Sequence, residues 1–360
     1  MYSRSLTGQP LFVLLVALAI LIPLFLAISW RRRPHGRTGQ ILRFIAMVTG
    51  QLVAVAAVGV WANNTFGFYD NWSDLLGGAG TGSIQAETNG VLPVGGAGGR
   101  VVTLAVNGKA SRASGIVLIW LPSQYDQPAF KNKQFPVLMM MPGQPGTPEG
   151  VFSQFQFAQQ ATQAIRSGAV KPFVGVFPPL MIAPPRDTEC TNVPRGPQAE
   201  TWLTQDVRDA VLAHFRVSRA GRQWSTAGWS TGGFCAAKLV LRDPVQWHAA
   251  AAIGGYFDAE IDPSTGNLFG GSAQLRRENS PIWLIRQPRN RNAHLLIVVS
   301  KTDRHSYDGV HYADSKQMIN GTRGYPNVST VVLPSGGHNY TVYRQTVPAV
   351  LSWCAKTAGL

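Results

Sequence analysis

The pentapeptide Gly228-Trp229-Ser230-Thr231-Gly232 stands between a strand-compatible run, Trp224 to Ala227, and a helix-forming run, Gly233 to Leu241. Two glycines at that spacing let a strand turn sharply into a helix and leave the serine hydroxyl exposed on a strained corner. Such a corner belongs to layered α/β folds, in which a sheet strand feeds a covering helix. A chain with 38 glycines produces the pentapeptide by chance often enough that its flanks and partners must carry the weight.

The segments downstream of Arg100 agree with the corner. Val101 to Val106 and Ser114 to Leu121 read as a hairpin around Asn107-Gly108, and Phe135 to Met141 as a continuous apolar strand. Helical stretches follow over 151–167 and 200–215, with a strand over 173–177 between them. Beyond the corner, 249–253, 294–300 and 328–333 are further strands, and 342–357 a closing helix. Strands that read as apolar runs and alternate with helices predict a mostly parallel sheet covered on both faces. Two long irregular stretches, 178–198 and 258–292, leave what would be the C-terminal edge of that sheet, where ligands bind, and are expected to roof the site.

A serine hydroxyl needs an imidazole to take its proton, and the imidazole needs a carboxylate to fix its tautomer. His338, in Ser335-Gly336-Gly337-His338, follows the last predicted strand, with His305 and His311 as rivals. His214, His248 and His294 fall in regular elements and are expected to be structural. Asp303 sits just past the strand 294–300, with Asp258 as the alternative acid. For an oxyanion the expected backbone donors are Thr231 and, because Pro145 has no N–H, Gln144 in Met141-Pro142-Gly143-Gln144-Pro145-Gly146. Asp303, His305, Asp308 and His311 match no metal-ligand spacing, so neither metal nor cofactor is expected.

The N-terminal quarter is of another kind. Leu11 to Trp30 is uncharged, and twenty helical residues span about 30 Å, the thickness of a bilayer core. Phe44 to Trp61 is a second, shorter apolar segment. Arg31, Arg32, Arg33, Arg37 and Arg43 lie at their junction, and no acidic residue precedes Asp70. The positive-inside rule makes that junction cytoplasmic and everything after Trp61 extracytoplasmic. The expected organisation is a transmembrane hairpin over 1–62, a juxtamembrane segment and Gly-rich linker over 63–99, and a catalytic domain over 100–360. Of the net charge of +14, six basic residues before Asp70 contribute +6 and the rest of the chain +8. With no dense basic stripe, this suits an anionic membrane or wall surface rather than a nucleic acid.

Cys190 falls in the first long loop and Cys235 one turn into the helix after the corner, so both approach the same sheet edge and are expected to be bridged. Cys354, on the closing helix, is then the unpaired thiol.

Taken together, Pro136-Val137-Leu138 leading to Pro142-Gly143, Glu200 to Asp206 with Phe215-Arg216-Val217-Ser218, the pentapeptide and Gly337-His338 resemble the esterase branch of the α/β-hydrolases. That branch includes esterase D, feruloyl esterases and mycolyltransferases, and the resemblance covers roughly residues 100–357. It implies a serine nucleophile at Ser230, working through an acyl-enzyme with Asp303 and His338. The membrane hairpin with its linker is similar to exported, membrane-tethered esterase-like proteins of high-GC Gram-positive bacteria. The expected function is a membrane-anchored, extracytoplasmic serine esterase acting on a lipid or cell-envelope ester. An acyltransferase moving an acyl chain to a sugar hydroxyl, and a non-catalytic binding protein on the same fold, are the alternatives.

Overall fold

The computed structural model describes residues 9–30, 36–66, 91–93, 98–303 and 315–359. The chain divides into two units, Met1–Gln85 and Ala86–Leu360.

In the first unit the helices Gln9–Ser29 and Arg37–Phe66 are each long and apolar enough to cross a membrane. They pack on one another: Arg43 Nη2 donates to the Trp30 carbonyl at 3.0 Å, and its guanidinium lies 4.5 Å above the Trp30 ring. The second helix runs on to Phe66, past the boundary expected at residue 62. Arg31, Arg32 and Arg33 lie outside the described residues, as does most of the expected linker. The linker is not wholly irregular, because Val91–Pro93 forms β1 and pairs antiparallel with Arg100–Asn107, β2.

The second unit holds a nine-stranded sheet. Its remaining strands are β3 (Ser114–Leu121), β4 (Val137–Met141), β5 (Val174–Phe177), β6 (Trp224–Trp229), β7 (Ala249–Ile253), β8 (His294–Ser300) and β9 (Val328–Leu333). The spatial order is β1-β2-β3-β5-β4-β6-β7-β8-β9, antiparallel from β1 to the β3–β5 pair and parallel from β5 through β9. β4, β5, β6 and β7 are buried along their whole length, which is why they read as unbroken apolar or small-residue runs rather than alternating ones. The strand order reverses at β4, whose neighbours are β5 on one side and β6 on the other. That reversal opens a crevice at the C-terminal strand ends, where open α/β sheets take their ligands.

Three expected helices differ in detail. The stretch 151–167 is two helices, Pro148–Gln154 and Phe157–Arg166, broken at Gln156, whose φ is +49°. The closing helix is also two, Tyr340–Arg344 and Val347–Ala358, because Pro348 has no N–H and suits only a helix's first turn. The helix over 199–214 contains a π-helical turn, Trp202–Val207, within it. The stretch 258–292 is not irregular throughout, since it carries the helices Ala273–Asn279 and Pro281–Leu284.

Candidate active site

Ser230 is the one residue between β6 and the helix Thr231–Arg242, and its backbone sits at φ +55°, ψ −119°. A non-glycine residue held there stores strain, and such outliers concentrate at functional sites. The corner closes only because its glycines let backbone meet backbone. A Cβ on Gly228 would lie 2.1 Å from the Gly232 carbonyl oxygen, and one on Gly232 2.3 Å from that of Met141.

The partners arrive from β8 and β9. Asp303 is three residues past β8, and its backbone N–H closes a turn onto the Ser300 carbonyl at 3.1 Å. His338 is five residues past β9. The two loops are tied at Gly336, whose carbonyl accepts from Ser300 Oγ at 2.7 Å and Thr302 Oγ1 at 3.1 Å. His338 Nδ1 is thereby 2.8 Å from Asp303 Oδ2, and Nε2 is 3.0 Å from Ser230 Oγ. The Asp303 side chain is wholly buried and that of His338 is 15% exposed, so a low-dielectric wall backs the relay while its serine end remains reachable.

The site holds more than the sequence reading placed there. The Tyr343 hydroxyl donates to Asp303 Oδ2 at 2.6 Å and accepts from the Ser300 N–H at 2.9 Å. The Trp229 indole stacks on the His338 ring with centroids 4.3 Å apart. Both are legible in hindsight, Trp229 as the residue before the serine and Tyr343 as the fifth residue past the histidine. Neither carries a motif of its own.

Asp258 does not join the relay. Its carboxylate pairs with Arg276 Nη2 at 3.0 Å and accepts from Ser280 Oγ at 2.6 Å. His214 and His248 bond to the carbonyls of Ala210 and Thr357, and His294 lies against His248, as expected of structural histidines. His305, Asp308 and His311 lie outside the described residues.

Thr231 begins the helix, so its N–H has no intrahelical acceptor. The loop after β4 runs close beside it: a Cβ on Gly143 would sit 3.0 Å from Ser230 Cβ. Gln144 follows Gly143 in that loop.

The two long stretches lock together above the sheet edge. The Asp187 N–H donates to the Ser264 carbonyl, and Arg186 binds the carbonyls of Thr265 and Asn267. Cys190 and Cys235 are disulfide-bonded, with Cα atoms 5.9 Å apart, and pin the first stretch to the helix behind Ser230. Beside the bridge, the fully buried Lys238 Nζ is surrounded by the carbonyls of Glu189 and Cys190, Thr191 Oγ1 and Asn279 Oδ1 at 2.8–3.1 Å. Burial pushes this ammonium down to about 8, against the opposing pull of the Glu200 and Glu189 carboxylates. Burial pushes the carboxyls of Asp187 and Glu189 up, although Thr231 Oγ1 and the Tyr256 hydroxyl respectively donate to them.

Known proteins resemble this chain in sequence and in fold. The family model described as "Putative esterase" matches residues 114–353. An uncharacterized protein of Corynebacterium glutamicum is 26% identical over 261 residues, which cover 66% of this chain and 56% of that protein, so the chain spans little more than half the relative's length. Among solved structures, an S-formylglutathione hydrolase from Agrobacterium tumefaciens superimposes with a TM-score of 0.61 at 15% identity, covering 76% of this chain and all of that one. FphF, a fluorophosphonate-binding serine hydrolase of Staphylococcus aureus, gives 0.56 at 18% identity, covering 70% and 97%. At such identities the structures speak for the fold, and the family model for the kinship. The chain belongs to the esterase family described by that model, a family of ester-hydrolysing enzymes on the α/β-hydrolase fold.

Proposed function

We propose that this protein is a membrane-anchored serine esterase that cleaves a carboxylic ester through an acyl-enzyme on Ser230. The observation that carries the reading is the continuous line from Ser230 Oγ to His338 Nε2 at 3.0 Å and from His338 Nδ1 to Asp303 Oδ2 at 2.8 Å. As Ser230 Oγ bonds to the ester carbonyl carbon, its proton passes to His338 Nε2 and the carbonyl π electrons move onto oxygen. The backbone N–H groups of Thr231 and Gln144 are the proposed donors to that oxyanion. Collapse of the tetrahedral intermediate breaks the bond to the leaving alkoxide, which takes the proton from His338. Water then repeats the sequence and frees the acid; an alcohol in its place would make the same enzyme an acyltransferase.

The apolar helices Gln9–Ser29 and Arg37–Phe66 support an integral membrane anchor, and the arginines at their junction support an extracytoplasmic catalytic domain. The substrate is then an ester within reach of a membrane-tethered domain, a lipid or cell-envelope component. A fluorophosphonate probe tests the reading. Full-length protein should be labelled at Ser230 and the Ser230→Ala variant should not; folded protein that resists the probe at every pH would sink the serine mechanism.

A further inference from the structure

Histidine in a serine relay must do two things: present both nitrogens along one line, and carry a positive charge between the first proton transfer and the second. In this protein one face of the His338 ring is covered by Trp229. The ring centroids are 4.3 Å apart and the planes 27° from parallel, so the imidazole lies over the indole face rather than its edge.

The indole is held there from several sides. Phe155 meets it edge-on at 6.2 Å, and Tyr340 and Tyr343 pack at 5.2 and 4.9 Å. Backbone gives way to it as well. A Cβ on Gly254 would come within 2.6 Å of indole Cζ3, and one on Gly143 within 3.0 Å of Cδ1. Trp229 is itself buried, so its ring is a fixed surface rather than a mobile cover.

We propose that Trp229 is a positioning residue of the relay, its indole face holding the His338 ring in the plane that reaches both Asp303 and Ser230 and stabilising the imidazolium formed when Ser230 gives up its proton. The inference rests on the serine-esterase reading for its catalytic consequence. The electrostatics are those of a cation over the negative face of an aromatic ring, which are strongest for tryptophan and for desolvated sites. Among the described residues, the groups that face His338 include Asp303 at Nδ1, Ser230 at Nε2, and Tyr343, whose ring centroid is 6.5 Å away and whose hydroxyl reaches it through Asp303. Asp303 supplies the in-line charge. Trp229 adds stabilisation from the perpendicular direction, over the ring face.

The test is the rate of fluorophosphonate labelling of full-length protein against pH, with Trp229 replaced site-specifically by fluorinated tryptophans. Fluorine keeps the shape and drains the negative face. The half-maximal point of the acid limb should move to lower pH with each added fluorine, by about half to one unit at full fluorination. A limb that stays put or moves up overturns the electrostatic role. Trp229→Leu tests positioning: its plateau rate at high pH should fall about tenfold, with Trp229→Phe recovering part of the loss, and an unchanged plateau overturns that role. If the Trp229→Leu variant fails to fold, the isosteric fluorinated series and Trp229→Phe still decide. Wild-type protein that never labels would refute the esterase reading, and the His338 13Cε1 titration by NMR would then decide the stacking role alone.

Discussion

The Tyr343 hydroxyl donates to Asp303 Oδ2 at 2.6 Å, the same oxygen that faces His338 Nδ1 at 2.8 Å. One carboxylate oxygen thus takes two short contacts, and its direction is set from the closing helix as well as from β8. The Tyr343 hydroxyl acts on the acid rather than on the serine, so Tyr343→Phe should lower kcat for a short-chain ester about tenfold and leave KM unchanged. That matches a lost hydrogen bond to a buried ionised group, worth about 1.5–3 kcal/mol in favourable cases. The Ser300 N–H also loses its acceptor, so the melting temperature should drop in the same variant.

Ser230→Ala and His338→Ala should each cost on the order of ten-thousand-fold in turnover, and the double variant little more than either alone, because the relay acts as a unit. Asp303→Asn should cost less than either. Asp258→Asn removes a surface-facing ion pair with Arg276 and should leave turnover within about twofold. Steady-state kinetics on a chromogenic ester check all five variants, and additive losses in the double variant would argue against the pairing.

Thiol chemistry should find no reactive cysteine in the native protein. Cys190 and Cys235 are bridged, and burial pushes the Cys354 thiol up to about 12. Denaturation without reductant should release one alkylatable thiol, Cys354. The bridge closes 45 residues of chain, so Cys190→Ala with Cys235→Ala should lower stability by about 4 kcal/mol in the loop-entropy model. Mass mapping and urea unfolding test the two halves.

Lys238 links stability to alkali. Its folded value near 8 lies below the unfolded 10.5, so between those limits the unfolded chain binds the proton more tightly. This group's contribution is therefore fully present above about 10.5 and is lost as pH falls through 8. The urea midpoint of the wild type relative to Lys238→Met should rise from pH 8 to 9.5. At pH 7 the variant still leaves Asn279 Oδ1 and Thr191 Oγ1 without their shared donor, so a flat difference across the window would reject the buried-ammonium account.

A cysteine introduced within 77–90 should react with an impermeant thiol reagent on intact cells if the arginine-rich junction of the two apolar helices is cytoplasmic. Labelling only after lysis would reverse the proposed orientation.

Much of this protein is written locally. The order of strands and helices, the corner at Ser230 and the apolar N-terminal helices follow from hydrophobic period, glycine spacing and run length, which act over a few residues. The choice of Asp303 over Asp258 was not local, because each follows a parallel strand and each is a short acid in a loop. The fold separates the two by pairing Asp258 with Arg276 and by tying the Asp303 turn to the His338 loop through Gly336. Trp229 and Tyr343 were silent for the same reason: an aromatic residue becomes part of a relay only when distant chain brings a histidine to its face or a carboxylate to its hydroxyl. Likewise Lys238 reads as one more helical lysine, and only the closure of the 178–198 stretch over it, with Glu189 and Cys190 turning their carbonyls inward, makes it a buried cation.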